Sequence, residues 1–265
     1  RPTAGPTSSS SGPAREQTTV VLPGPADYAS MTQSTPISRV SLRGADTDLS
    51  PLTIADDDVE AVVAVGTDAV ESAALADDET PLLAVDADDG RHGTTRERLD
   101  DAAAALADGA YRRVTHPVLG IEVDGERVGR AVFDATLMTS EPARISEYAL
   151  SVDGERLFGV RADGVVVSTP LGSAGYGRAA GGPVVAPGGG LSVAPVAPFS
   201  TRASTWVVPG PLALHVQRDE GDVSLFVDGE DRRRVSPDEP VDINAVGEFT
   251  CLRPLVERPP ELEKH

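Results

Sequence analysis

Apolar and polar positions follow two different rhythms along this chain. The run VEAVVAVG over 59–66 is apolar at nearly every position and stops at a glycine. A strand covered on both faces has no polar side, so this run predicts a buried parallel strand. TDAVESAALA over 67–76 follows with helical character, and PLLAVD over 81–86 predicts a second buried strand. TTRERLDDAAAALADG over 94–109 puts Leu99, Ala103 and Leu106 on one helical face and stops at Gly109. Strand, helix, strand and helix in that order predict an α/β layer on a parallel sheet. TTVVLPG over 18–24 and ISRVSLRG over 37–44 read as further short strands.

Beyond Gly109 the period shortens to two. Alternating segments meet at Asp124-Gly125, Asp153-Gly154 and Asp228-Gly229. An Asp-Gly pair between alternating runs is a strong hairpin signal, because both central turn residues need positive φ. Residues 110–250 are therefore expected to be antiparallel β, packed as two sheets. The predicted fold is an α/β N-terminal domain with a parallel sheet plus a β-rich two-sheet C-terminal domain. The expected boundaries are a disordered tail over 1–17, the α/β domain over 18–109, the β-rich domain over 110–250 and a C-terminal segment over 251–265. The tail is assigned on its Pro, Ser and Gly content.

Charge adds a setting. The formal net charge is −19, Lys264 is the only lysine, and 40% of residues are apolar. That combination is a folded core in an acidic coat rather than a disordered chain. A salt-rich cytoplasm accounts for it, since at 1 M salt the Debye length falls to about 3 Å and surface self-repulsion is screened. A GC-rich codon bias, which favours Ala, Arg, Gly and Pro, is compatible with the same composition. The charge argues against nucleic acid or an anionic membrane as partner. No apolar run reaches the roughly 18 residues of a membrane helix, and the N-terminus lacks the apolar stretch of a signal peptide. Cys251 is the single cysteine, set in the apolar GEFTCLRPL, and reads as a buried strand residue. His92, His116, His215 and His265 show no metal-ligand spacing, and no metal-binding residues are expected. The acidic run ADDDVE over 55–60 reads as a solvated loop, with a metal site as the alternative. A cytoplasmic protein is the expectation.

The segment ADGVVVSTPLGSAGYGRAAGGPVVAPGGG over 162–190 raises the chemical question. Loops beyond about 12–15 residues are uncommon and tend to serve a function. Neither a Walker loop nor a Gly-x-Gly-x-x-Gly turn after a strand is present. With one lysine at the far end, phosphate chemistry here would rest on backbone N–H groups, arginine and metal. The segment carries Asp163-Gly164, Ser168-Thr169-Pro170, Gly172-Ser173, Tyr176 and Gly181-Gly182-Pro183. In composition and spacing it resembles the signature of the NAD kinases. The resemblance covers roughly residues 55–255, including RISEYALSVDGE before the segment and PVAPFSTRASTWVVP after it.

The family's other signature is Gly-Gly-Asp-Gly-Thr between a buried strand and a helix. Here that place reads Gly66-Thr67-Asp68-Ala69-Val70. The resemblance implies that Asp68 takes the proton of the adenosine-ribose 2′-hydroxyl of NAD(H) as it attacks ATP, with Mg²⁺ or another divalent cation on the phosphates. Phosphoryl transfer needs positioning and charge neutralisation above all. The resemblance further implies phosphate contacts at Gly66, Thr67, Gly181 and Gly182, and substrate contacts at Asp134, Asp163, Thr169, Gly172, Ser173 and Tyr176. It also implies a site in the crevice between the domains and a homo-oligomer, dimer or tetramer. The plainer readings stand beside these. Asp68 is an acid in the first turn of a helix, Tyr176 a core aromatic, and Asp163 the start of an Asp-Gly turn.

The chain departs from the family pattern in several places. Ala69 and Phe133 replace the usual Gly and Asn, with Ala69 expected to crowd a phosphate. Leu171, Ala174, Gly175, Phe199 and Asp86 also depart from it. Two functions follow: an ATP-dependent NAD kinase of a divergent, halophilic archaeal type, or a nucleotide-binding sensor with weakened catalysis. A lipid or sugar kinase, sharing only the Gly-Gly-Asp-Gly turn, is third.

Overall fold

Apolar runs with no polar side can be satisfied only between two covering layers, and they occupy that position here. The structure, a computed structural model, describes residues 34–256 apart from 77, 141–144, 201–203, 220 and 238. The expected tail over 1–17 and strand over 18–24 lie outside the described residues.

The first layer holds strands β1 (Arg39–Arg43), β2 (Thr53–Ile54), β3 (Ala61–Val65) and β4 (Leu82–Val85), parallel in the order β2-β1-β3-β4. Helix α1 (Thr67–Ala74) follows β3; a 3₁₀ turn over Arg96–Arg98 leads into α2 (Leu99–Ala107). Every residue of β3 and β4 is buried. Alternate residues point to opposite faces. Val63, Val65, Leu83 and Val85 pack on Leu99, Ala103 and Leu106 of α2. Val62, Ala64, Leu82 and Ala84 pack on Val70 and Ala74 of α1.

The remaining strands are β5 (Tyr111–Val123), β6 (Glu126–Ala131), β7 (Asp134–Thr139), β8 (Ser146–Val152), β9 (Glu155–Ala162) and β10 (Gly164–Ser168). After β10 come a 3₁₀ turn over Gly172–Ala174 and the short helix α3 (Tyr176–Ala179). The chain continues as β11 (Leu191–Val196), β12 (Trp206–Val208), β13 (Leu212–Arg218), β14 (Val223–Val227), β15 (Glu230–Val235) and β16 (Val241–Pro254). One antiparallel sheet of six strands runs β12-β11-β10-β7-β14-β15. It packs on a second sheet through Leu137, Val165, Val193 and Leu225 on one side and Ile121, Tyr148, Leu150 and Leu214 on the other.

The three Asp-Gly turns fall where expected, closing β5–β6, β8–β9 and β14–β15. Their aspartates have φ of 50°, 50° and 47°, and the glycines φ of 76°, 78° and 84°. This is the turn whose twist matches paired strands.

The second sheet does not stop at residue 110. β16 pairs antiparallel with β5 over almost its whole length and parallel with β4 at Cys251 and Leu82. The parallel layer and the sheet beneath the sandwich are thus one ten-stranded sheet. Cys251 is fully buried, and burial pushes its thiol pKa up. His92 and His116, far apart in sequence, meet edge to face with ring centroids 4.9 Å apart, and Phe249 stacks on His116. Burial first, and the neighbouring His92 second, pull the His116 pKa down to about 4, so its ring is neutral at ordinary pH. No helix among the described residues is long and apolar enough to cross a membrane.

Candidate active site

Gly66 links β3 to α1 with φ 88° and ψ 159°, a conformation that favours glycine. Its N–H donates to the Val85 carbonyl at 2.8 Å, and its carbonyl accepts from Val70 N–H at 3.1 Å to start the helix. Nothing stands within 4 Å of where a β-carbon of Gly66 would be. Asp68 is exposed in the first turn, with the Thr67 hydroxyl donating to its Oδ1 at 3.3 Å. The open backbone, the free N–H groups of the turn and the helix dipole favour an anion there.

Ala69, expected to crowd a phosphate, has a neighbour of its own within the protein. Ala69 lies inside α1 with ordinary helical backbone, and its β-carbon points at Gly44, 2.7 Å from where a β-carbon of that glycine would sit. The residue is partly buried, packed against the core formed by Val70, Ala74 and β3–β4.

The second half of the candidate site is built on β7. Asp134, Thr136 and Met138 alternate along the face turned away from the inter-sheet core. With Phe226 of β14, Tyr176 of α3 and Gly229 they line a cavity of about 390 Å³. A volume of this order suits part of a small ligand. The Thr136 hydroxyl donates to Asp134 Oδ1 at 3.0 Å. Burial, above all, lifts the Asp134 carboxyl to about 6, with the Asp228 charge adding to the rise and Thr136 opposing it. Tyr176 is 42% exposed. Its phenol pKa is raised by partial burial and then by the charges of Asp134 and Asp163, both of which lie within electrostatic reach of it.

A stability test follows from Asp134. The folded chain keeps this proton up to about pH 6, whereas the ordinary carboxyl releases it near 3.8. Between those values the native state binds more protons, so this group's contribution to stability falls as pH rises through the window. Asp134→Asn is expected to raise Tm above pH 6, with the advantage shrinking towards pH 4. Thermal melts of both proteins across that range check it, and a pH-independent difference counts against the assignment.

The glycine-rich segment does less at the surface than its composition suggested. A β-carbon on Gly172 would overlap the backbone of Phe133, and one on Gly177 would overlap the Ser168 side chain. One on Gly182 would stand 3.0 Å from Ser192 Oγ. These glycines let the segment lie against its own strands. Gly181, with φ 90°, is the one of the Gly181-Gly182 pair that faces open space. Thr169 and Ser173 are fully buried. The Thr169 hydroxyl donates to the Val132 carbonyl at 2.7 Å and accepts from Gly172 N–H at 3.1 Å. The Ser173 hydroxyl donates to the Pro170 carbonyl at 2.8 Å and accepts from Val185 N–H at 2.9 Å. Both hydroxyls are bonded within the protein. Asp163 precedes β10; its N–H donates to the Val196 carbonyl at 3.0 Å and its carbonyl accepts from Thr139 N–H at 2.8 Å.

The crevice expected between the layers is filled at its base. Phe133 and Leu171, only 8% and 0% exposed, pack with Val70 of α1 on the outer face of β3 and β4. Asp134 and Tyr176 are brought together in the β7 cavity; Gly66, Thr67, Asp68, Gly181 and Gly182 do not line it. Glu71 of α1 is influenced by charges from both halves. The half-buried Glu71 of α1 has a raised pKa, caused first by burial and then by the charges of Asp228, Glu230 and Asp68. Sequence reasoning passed over Glu71 and Asp228, because an acid on a helix and an Asp-Gly turn carry no local mark of a site. Arg178 of α3 reaches Asp89 in the loop after β4 at 3.6 Å, a second tie between the layers. Asp86 in that loop has φ 55°, which Asp adopts as Asn does, and it accepts from Arg96 N–H at 2.8 Å and Arg96 Nε at 3.1 Å.

In class, this is a two-layer α/β and β-sandwich protein, with an anion-favouring helix start on one layer and an acid-bearing cavity on the other. The ATP-NAD kinase C-terminal domain family model matches residues 134–250. The NAD kinase of Methanopyrus kandleri is 33% identical over 183 residues, covering 66% of either chain. That of Methanosarcina acetivorans is 30% identical over 192 residues, covering 70% of either. The chain belongs to the NAD kinase family. It spans about two thirds of the length of these curated relatives. Among solved structures, an NAD kinase from Archaeoglobus fulgidus in complex with ATP superposes with a TM-score of 0.57 at 20% identity, covering 82% of this chain and 92% of that one. Yeast NADH kinase complexed with NADH superposes with a TM-score of 0.58 at 18% identity, covering 73% and 61%. Both share the fold.

Proposed function

We propose that this chain is an ATP-dependent NAD kinase, which moves the γ-phosphoryl group of ATP to the adenosine-ribose 2′-hydroxyl of NAD(H) and yields NADP(H). Family membership supports the reading, and the observation that carries it is Asp68, exposed in the first turn of α1 directly after the open, positive-φ Gly66. Asp68 accepts the 2′-hydroxyl proton. The 2′-oxygen forms its bond to the γ-phosphorus, the bond from that phosphorus to the β–γ bridging oxygen breaks, and ADP leaves. Backbone N–H groups after Gly66 and beside Gly181 steady the phosphates. Asp134 accepts hydrogen bonds from the dinucleotide, Tyr176 offers a ring face for stacking, and Asp163 sets the charge beside that ring. Thr169, Gly172 and Ser173 act from within, by holding the wall that carries Asp134.

A divalent cation such as Mg²⁺ neutralises phosphate charge when it is bound. No group of three or more His, Cys, Asp or Glu among the described residues is arranged to cage a metal. Mg²⁺ usually takes one or two carboxylates and completes its shell with phosphate oxygens and water, so the proposal has the cation carried in on ATP. The buried, unpaired Cys251 suits a reducing cytoplasm. Assembly as a dimer or tetramer belongs to the same proposal, with sedimentation velocity as its check.

The sensor reading is motivated by the eroded Gly-Gly-Asp-Gly-Thr turn, with Thr67, Ala69 and Val70 in place of Gly, Gly and Thr, and by Phe133 in place of Asn; of these, the Ala69 methyl lies on the Gly44 side of the helix. The experiment is direct: purified protein with ATP, Mg²⁺ and NAD in molar salt, and NADP measured by enzymatic cycling. NADP accumulation is expected. Thermal stabilisation by NAD without any NADP overturns the kinase reading in favour of the sensor; a ligand at 100 times its Kd stabilises by about 2.7 kcal/mol.

A further inference from the structure

We propose that Asp228 is a positioning residue for the dinucleotide cavity: its carboxylate clamps the backbone bend that presents Asp134. The inference rests on the functional reading above for its ligand, but not for the clamp. Asp228 Oδ2 accepts from Val132 N–H at 2.7 Å, and Oδ1 accepts from both Phe133 N–H and Asp134 N–H at 2.8 Å. The Asp228 N–H in turn donates to the Asp134 carbonyl at 2.9 Å. On the opposite side, Thr169 takes the remaining carbonyls: its hydroxyl donates to Val132 O at 2.7 Å and its N–H to Phe133 O at 2.9 Å. Every backbone polar group of the bend between β6 and β7 therefore has a partner on one of two residues.

Three successive N–H groups converging on one point form a concave anion site. Here a carboxylate of the same chain fills it. The partners are 94 to 96 residues apart in sequence, so no local rule of the turn demands them. They meet because β14 pairs with β7, Val227 opposite Ala135, and Asp228 is the next residue. The other two Asp-Gly turns share the backbone conformation, with φ of 50° at Asp124 and Asp153, but both of those aspartates are exposed while Asp228 is not. Turn geometry alone would accept Asn or Gly at 228. The carboxylate is what the bend requires, since only it offers two acceptor oxygens and no donor. Gly229, the next residue, lines the cavity itself. A change in the clamp therefore moves the cavity wall and the Asp134 side chain together.

Asp228→Asn keeps the turn but sets an NH₂ group against an N–H, and Asp228→Gly keeps the turn and removes the clamp. Hydrogen exchange on the full chain is expected to speed at Val132, Phe133 and Asp134 by at least about 100-fold in both variants, with the β8–β9 turn unchanged. In the kinase assay the KM for NAD is expected to rise about tenfold or more, with the KM for ATP within about twofold and kcat within about threefold. Asp153→Asn, at an exposed equivalent turn, is expected to leave all of these alone.

Unchanged exchange at the bend overturns the clamp. A fall in kcat at constant KM for NAD overturns positioning in favour of direct chemistry. Equal losses for both substrates, with faster exchange throughout the chain, reduce Asp228 to a merely structural residue and overturn the proposal. A wild-type chain that makes no NADP fails the functional reading alone, because exchange reads the clamp without substrate.

Discussion

Asp68→Asn is expected to lower kcat for NADP formation by about 10²–10⁴-fold, the usual contribution of a general base, while leaving the fold intact. The substitution is nearly isosteric and removes the group that receives the proton. Its structural effect is bounded by the surroundings. Asp68 is exposed, and the one hydrogen bond found for its side chain comes from the neighbouring Thr67. Losing a charge at the helix start removes about 0.3–1 kcal/mol of dipole stabilisation. Circular dichroism and thermal melts should therefore superimpose closely on wild type. Binding of NAD, which the proposal places on the β7 wall, should persist. Turnover that survives in Asp68→Asn removes this residue from the mechanism; a collapse of the melting transition would mean that its role is to hold the helix.

Gly172→Ala is expected to be the most damaging single methyl group that the site region can receive. A β-carbon there would overlap the carbonyl oxygen, carbonyl carbon and Cα of Phe133. All three are backbone atoms, and that stretch of backbone is already pinned by Asp228 and Thr169. Neither side can yield by rotating a side chain. Overpacking a rigid site costs about 1–3 kcal/mol, and displacement of the Thr169 and Asp228 hydrogen bonds adds about 1 kcal/mol for each one lost. For a chain of this size that is a fall in Tm of about 5–12 °C. Gly188→Ala is the control. Gly188 has φ 75° with nothing within 4 Å of where its β-carbon would be, so backbone strain alone is at stake. Equal melting points for the two variants would show that the segment has room to shift and would dissolve the packing argument.

What could be read from the chain beforehand divides along a physical line. The buried strands β3 and β4, the helix face of Leu99, Ala103 and Leu106, and all three Asp-Gly turns were legible, because each rests on forces acting within about ten residues. The place of Asp68, in the first turn of the helix after a buried strand, was legible for the same reason; the role proposed for it came from the resemblance to the NAD kinases. The rest depended on partners far along the chain. Nothing near Phe133 announces that it will be buried against Val70 of α1. Nothing near Asp228 distinguishes it from Asp124 and Asp153. The glycines misled in a specific way. A residue lacking a side chain signals that something approaches closely, but not whether that something is a ligand. At Gly172, Gly177 and Gly182 it is the protein itself. The two hydroxyls expected to face substrate, Thr169 and Ser173, are spent on the same internal approach.

The pairing of β16 with both β4 and β5 governs the order in which this chain can mature. During synthesis the parallel layer emerges before β16; Thr94 bonds the far end of β4 locally, but β4 lacks its neighbour at Leu82, and β5 its long partner, until residues 241–254 have left the ribosome. Closing that gap joins segments separated by well over a hundred residues, which is entropically slow. The earlier strands therefore wait for one made much later, and a ribosome that stalls short of residue 241 leaves β5 without the strand that pairs along its whole length.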